Sequence, residues 1–223
     1  MTSCSTKLFV GLLLTIGLAY GTQANANTLT MEYKPFYQRL KVLYQGDYPD
    51  SNIVFRLLEA GASNAACAIE SGKIFNKNYE LPLVYTSGSV LLIPYDRKLY
   101  SDKAVVALQT KQPCELTIAL ALKRPKASYD ADELVKQLNQ LYALMRDFAG
   151  VSKFMLPEIV GATLSFDAES EVTLISSEAG DDVTVLVSQT DEIQLSLAQL
   201  SMANRLTMSS VPTSIRLWLA PKK

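Results

Sequence analysis

Five carboxylates come closest to a reactive constellation in this sequence: Asp167, Glu169 and Glu171 at alternate positions, then Asp181 and Asp182 together at a turn. Two acids about 5–10 Å apart can hydrolyse glycosides, and clustered acids can bind calcium. Neither an EF-hand loop nor a recognisable glycosidase motif surrounds them. A solvated acidic face is the competing reading. An aromatic group, Tyr33, Phe36, Tyr37, Tyr44 and Tyr48, could stack on sugar rings. It could equally be a packed helix with tyrosines at its rim.

Other chemistry is excluded by residue type. The chain has no histidine, which removes Ser-His-Asp and Cys-His machinery, HExxH zinc sites and imidazole proton shuttles. Ser71-Gly72-Lys73 lacks the upstream glycine of a P-loop, and no dinucleotide-binding fingerprint occurs. Beyond residue 26 there is no S-x-x-K of the penicillin-binding enzymes. These exclusions lean against an enzyme. No catalytic or metal-ligating residue is assigned, and no cofactor is expected.

The first 26 residues read as an export signal. Lys7 is the one charge before Glu32, an apolar run extends from Leu8 to Tyr20, and Ala24-Asn25-Ala26 follows. A positive start, a short apolar middle and small residues before the cut are the order of a secretory signal. The run is short for a span of about 20 residues, although an uncleaved anchor is the alternative. Cys4 precedes the apolar run, so it is not a lipoprotein cysteine. Cleavage after Ala26 would leave a soluble periplasmic protein.

Export leaves two cysteines, Cys67 and Cys114. In an oxidising compartment two lone cysteines most often pair, so a structural disulfide is expected, with free thiols as the alternative. A redox pair would more commonly be C-x-x-C, and zinc would need further ligands.

The 197 remaining residues carry 20 basic and 22 acidic groups, a charge of −2. The distribution is uneven. Residues 27–128 hold 13 basic and 9 acidic groups, whereas residues 129–223 hold 7 and 13. Nine carboxylates and no basic residue lie between Lys153 and Arg205. A nucleic-acid binder normally presents a dominant basic stripe, so that class is disfavoured.

The elements that must position these groups are mostly strands. Thr28–Tyr33 reads as a strand, and Pro35 opens a short helix with Phe36, Leu40 and Leu43 inward and Tyr37 and Tyr44 beside that face. Ile53–Leu58, a hairpin of 83–85 with 90–93, Ala104–Leu108 and Leu116–Leu122 follow as strands. Lys123-Arg124-Pro125-Lys126 breaks the pattern. The expected organisation is a signal at 1–26, a β-rich domain at 27–126 and a helix-plus-sheet domain at 127–223.

The strongest helix begins at Asp130, with Glu133 placed for a capping box. Leu134, Leu138, Leu141, Met145 and Phe148 form its apolar seam, and Gly150 ends it. A coiled coil usually sustains more heptads, so a helix laid across a sheet is favoured. Strands then return up to Ile215–Leu219, which carries the only tryptophan, Trp218, as a packing residue. No repeat of fixed period is apparent. The fold class is α+β: a β-rich N-terminal sandwich or bent sheet, then one long amphipathic helix on a second, mostly antiparallel sheet.

Two strings carry a resemblance: Tyr33-Lys34-Pro35-Phe36-Tyr37-Gln38-Arg39-Leu40-Lys41, and Leu92-Ile93-Pro94-Tyr95-Asp96 through Ser101-Asp102-Lys103-Ala104-Val105. With the two cysteines they resemble an uncharacterised family of exported gammaproteobacterial proteins. The resemblance implies a Gram-negative periplasmic setting and carries over no activity or site residue. The expected function is a non-enzymatic binding or interaction module for another envelope protein or a glycan. The alternative is a carboxylate-dependent hydrolase of cell-wall or polysaccharide substrates.

Overall fold

Apolar residues at alternate positions give strands with one buried face, and the run Ser51–Glu59 shows it: Ile53, Phe55 and Leu57 are buried while Asn52, Val54 and Arg56 are half-buried. The computed structural model describes residues 27–62, 64–176 and 191–221, together with the backbone of 183–187. The expected signal at 1–26 therefore lies outside the described residues.

In chain order the first part contains β1 (Asn27–Glu32), α1 (Lys34–Gln45), β2 (Ser51–Glu59), β3 (Ile69–Phe75), β4 (Glu80–Pro82), β5 (Val84–Tyr85) and β6 (Val90–Leu92). It closes with α2 (Arg97–Ser101), β7 (Val105–Thr110) and β8 (Cys114–Leu122). The second part runs β9 (Ser128–Asp130), α3 (Ala131–Ala149), a 3-10 helix (Gly150–Met155), β10 (Ile159–Ser165), β11 (Glu171–Ile175) and β12 (Val183–Val187). It closes with β13 (Glu192–Ser196), α4 (Leu197–Met202), β14 (Arg205–Met208) and β15 (Ser214–Leu219). The fold is α+β, with antiparallel sheets and one long helix.

The strands form three sheets, and their orders reveal a duplication. One outer sheet is β1-β7-β3-β4, and the other is β9-β14-β11-β12. Matching β1 to β9, β7 to β14, β3 to β11 and β4 to β12 superposes the two orders term by term. The central sheet, β13-β10-β15-β8-β2-β6-β5, reads symmetrically outward from its middle, because β8 matches β15, β2 matches β10 and β6 matches β13. Only β5 lacks a counterpart among the described residues. The chain is thus two copies of a β-α-β-β-β-β-α-β-β unit related by a pseudo-twofold axis.

Backbone hydrogen bonds recur at equivalent places. Tyr33 N–H donates to Ala104 O and Ala131 N–H to Asn204 O, both at 3.0 Å. Leu57 N–H donates to Ser89 O as Phe166 N–H does to Asp191 O. Lys123 N–H donates to Asp50 O as Ala220 N–H does to Glu158 O. The repeats join through antiparallel β8 and β15, where Ala121 faces Arg216. The central sheet therefore draws strands from both sides of residue 126, and the two hydrophobic clusters follow the repeats except that Leu122 packs in the second and Leu144 in the first.

Helix α3 spans both clusters. Leu134, Leu138 and Leu141 pack into the second cluster, and Leu144 packs into the first with Phe148 against it. All four leucines are fully buried, each worth about 1.5–3 kcal/mol relative to exposure. The buried seam passes through Leu144; Met145 is only half-buried. The expected capping box at Asp130 is absent: Asp130 makes no side-chain cap bond, and the Glu133 carboxylate accepts from Lys126 at 2.8 Å and Gln137 at 3.1 Å. Asp130 is already the last residue of β9, whose pairing with β14 fixes the entry to α3. A complete box occurs instead at Ser196 and Gln199 of α4.

Cys67 and Cys114 are disulfide-bonded, with Cα atoms 6.0 Å apart. The bridge ties the long β2–β3 connection to the start of β8.

Candidate functional site

The two strings that carry the family resemblance meet around Tyr33. Its hydroxyl donates to Pro94 O at 2.5 Å and accepts from Asp96 N–H at 3.0 Å. Burial raises the ionisation of this phenol above its ordinary value. The neutral hydroxyl can then serve both bonds and hold the Pro94–Asp96 turn against the start of α1. Asp96 in turn caps α2, accepting from Lys98 N–H at 2.6 Å and Leu99 N–H at 3.3 Å.

This anchoring stacks four tyrosines. Tyr100 lies on Tyr37 with centroids 4.5 Å apart, Tyr37 on Tyr95 at 5.0 Å, and Tyr95 on Tyr44 at 4.9 Å, all within 23° of parallel. Tyr37 is buried, whereas Tyr95 is 37% and Tyr44 62% exposed. The stack therefore runs from half-buried Tyr100 through buried Tyr37 to the surface at Tyr44, and the rings beneath Tyr44 hold it in place.

Tyr44 also lines a cleft of about 290 Å³, walled by Leu43, Tyr48, Ser51, Asn52 and Lys123. The α1–β2 turn shapes it. A methyl group on Gly46 would stand 2.3 Å from Tyr48 Cε2, so glycine lets the Tyr48 ring lie over the turn. The Tyr48 hydroxyl donates to Asp147 Oδ2 at 2.5 Å, linking this cleft to the end of α3. Burial, then the hydrogen bond to Asp147, pushes the Tyr48 phenol up to about 12. The buried Ser51 hydroxyl has no hydrogen-bond partner among the described residues. The cleft thus offers an aromatic platform, an amide, an ammonium and the Asp47 carboxylate.

Of the five carboxylates singled out in the sequence, the structure describes three. Asp167, Glu169 and Glu171 are each exposed, and Asp181 and Asp182 lie outside the described residues. Among the described residues no group of three or more Cys, Asp or Glu side chains could hold a metal ion. The five aromatic residues divide. Tyr33, Phe36 and Tyr37 are core, while Tyr44 and Tyr48 reach the cleft. Tyr95, Tyr100, Asn52, Lys123 and Asp147 were not singled out for chemistry in the sequence. Tyr95 lies in a quoted string, but nothing local marks it as a neighbour of Tyr44. Trp218 is half-buried on β15. No helix among the described residues is long and apolar enough to cross a membrane.

A family model described as "Protein of unknown function (DUF2987)" matches residues 25–166. No curated protein and no solved structure matches the chain.

Proposed function

The chain belongs to this family of unknown function, and from that premise we propose that it is a soluble periplasmic binding module of Gram-negative bacteria that takes a glycan. One observation carries the reading: Tyr44 ends a four-ring stack and is 62% exposed beside a polar cleft. A packing tyrosine would hide its ring. Here a ring is supported from behind and presented to solvent, and pyranose C–H faces stack on such platforms. Asn52, Lys123 and Asp47 supply donors and acceptors of the kind sugar hydroxyls need. Support for export comes from Lys7, the apolar run and Ala24-Asn25-Ala26. The disulfide fits an oxidising compartment.

Calorimetric titration of the chain lacking residues 1–26 with neutral, amino and acidic oligosaccharides tests this function. At least one class should bind, and Tyr44→Ala should weaken it about tenfold, close to 1.4 kcal/mol. Binding that is unchanged in Tyr44→Ala would remove the cleft from the account.

A further inference from the structure

Comparing the repeats isolates one segment that the first copy does not have. Between the helix and the second strand of each unit, the first repeat uses only 46–50. The second inserts the 3-10 helix Gly150–Met155 before Leu156-Pro157-Glu158. Equivalent bonds to Asp50 O and Glu158 O show that both connections end at the same corner of the fold.

The insertion is apolar and projects outward. Val151 is 93% exposed, Phe154 85% and Met155 81%, the three most exposed large hydrophobic side chains among the described residues. Its only charge is Lys153, whose ammonium lies 5.6 Å from the Phe154 ring centroid. No carboxylate occurs between Asp147 and Glu158. Leaving three such side chains in water is costly, so the knob is built to be covered.

The knob starts near the cleft. Asp147 accepts the Tyr48 hydroxyl at the cleft wall, and Gly150 follows three residues later, within about 11 Å along the chain. A protruding tip with apolar side chains and one cation suits an anionic lipid surface. A bilayer closes around such a tip, and its headgroups attract the lysine.

We propose that the knob inserts into a membrane and that the cleft takes a glycan headgroup of that same membrane. The ligand class is therefore a glycolipid. This inference rests on the glycan reading of the cleft and adds the source of the sugar. Tyr44 would stack on the sugar while Val151, Phe154 and Met155 enter the acyl region beside it.

Co-sedimentation of the chain lacking residues 1–26 tests it. The vesicles are phosphatidylethanolamine with phosphatidylglycerol, with and without added lipopolysaccharide, and titration with the delipidated polysaccharide runs in parallel. The wild type should bind lipopolysaccharide vesicles at least tenfold more tightly than the free polysaccharide. The triple variant V151S/F154S/M155S should lose that gain, keep its affinity for free polysaccharide and keep its melting temperature. Tyr44→Ala should lose the free polysaccharide and bind vesicles weakly, with or without lipopolysaccharide. Free polysaccharide bound without any vesicle gain would overturn the membrane role and leave the glycan reading standing. Vesicle binding indifferent to both lipopolysaccharide and Tyr44 would overturn the glycolipid assignment, and the glycan reading would fall with it only if no oligosaccharide class binds the free chain. A wild type that is dimeric where the triple variant is monomeric would assign the knob to self-association instead.

Discussion

The Tyr48 hydroxyl donates to Asp147 Oδ2 at 2.5 Å, so a turn in the first repeat is fastened to the long helix of the second. Neutral Tyr48 is the form this bond requires, and its phenol is raised to about 12 from 10.0. The unfolded chain ionises first. This contribution to stability is therefore complete below about pH 10 and is lost as pH rises from about 10 to about 12. Tyr48→Phe should flatten part of the alkaline decline in that window. Tyr33 and Tyr129, also raised by burial, should preserve the rest. Urea unfolding at a series of pH values, followed by Trp218 fluorescence, measures the difference. Identical pH profiles would show that the bond does not persist in solution.

Gly46 controls the same contact by its lack of a side chain. Its φ of −92° is ordinary, so alanine there adds no backbone strain. The added methyl would nevertheless meet Tyr48 Cε2 at 2.3 Å. Gly46→Ala should rotate the ring off Asp147 and return the Tyr48 titration toward 10. Stability should change by less than about 1 kcal/mol. Alkaline difference absorbance against Tyr48→Phe reads the shift. A titration left near 12 would mean that the turn yields instead of the ring.

The Cys67–Cys114 bridge closes a sequence separation of 47 residues. In the chain-entropy model a loop of this size contributes about 4 kcal/mol. Unfolding with and without reductant should show a loss approaching that value, and Cys67→Ala with Cys114→Ala should reproduce it. An unchanged midpoint would mean that the cysteines are not bridged in solution.

Two substitutions in α3 should differ sharply. Leu138 is fully buried between helix and sheet, and Leu138→Ala should cost about 2–5 kcal/mol. Asp130 makes no cap bond, so Asp130→Ala should cost less than about 0.5 kcal/mol. Denaturant midpoints of the two variants decide the matter. A loss above 1 kcal/mol at Asp130 would restore the capping box.

Strand alternation and the period of α3 were legible because each reports a buried face directly. The duplication was not. Equivalent positions keep burial and replace the side chain: Ile74 answers Leu174, Val106 answers Leu206, and Phe55 answers Leu164. The offset also drifts, from 98 at Tyr33 and Ala131 to 109 at Phe55 and Leu164, because α3 and the 3-10 insertion lengthen the second unit. It falls back to 100 at Val106 and Leu206, because the β10–β11 connection is shorter than the β2–β3 one. A fixed-period search cannot see such a repeat. The site was half legible. Tyr44 stood in the aromatic group, but Tyr95 is brought beneath it only by the Tyr33 hydroxyl holding residues 94–96. The acids that drew attention first, Asp167, Glu169 and Glu171, are solvated in the β10–β11 connection and at the start of β11.

Glycan binding as proposed requires that the exposed face of Tyr44 receive a sugar ring. Saturation-transfer NMR tests it most directly, by irradiating the tyrosine ring protons of the chain lacking residues 1–26 in the presence of the polysaccharide. Transfer to the sugar ring protons that disappears in Tyr44→Ala and survives in Asp167→Asn is the predicted result. Equal transfer in wild type and Tyr44→Ala, or none with any glycan class, would contradict the claim.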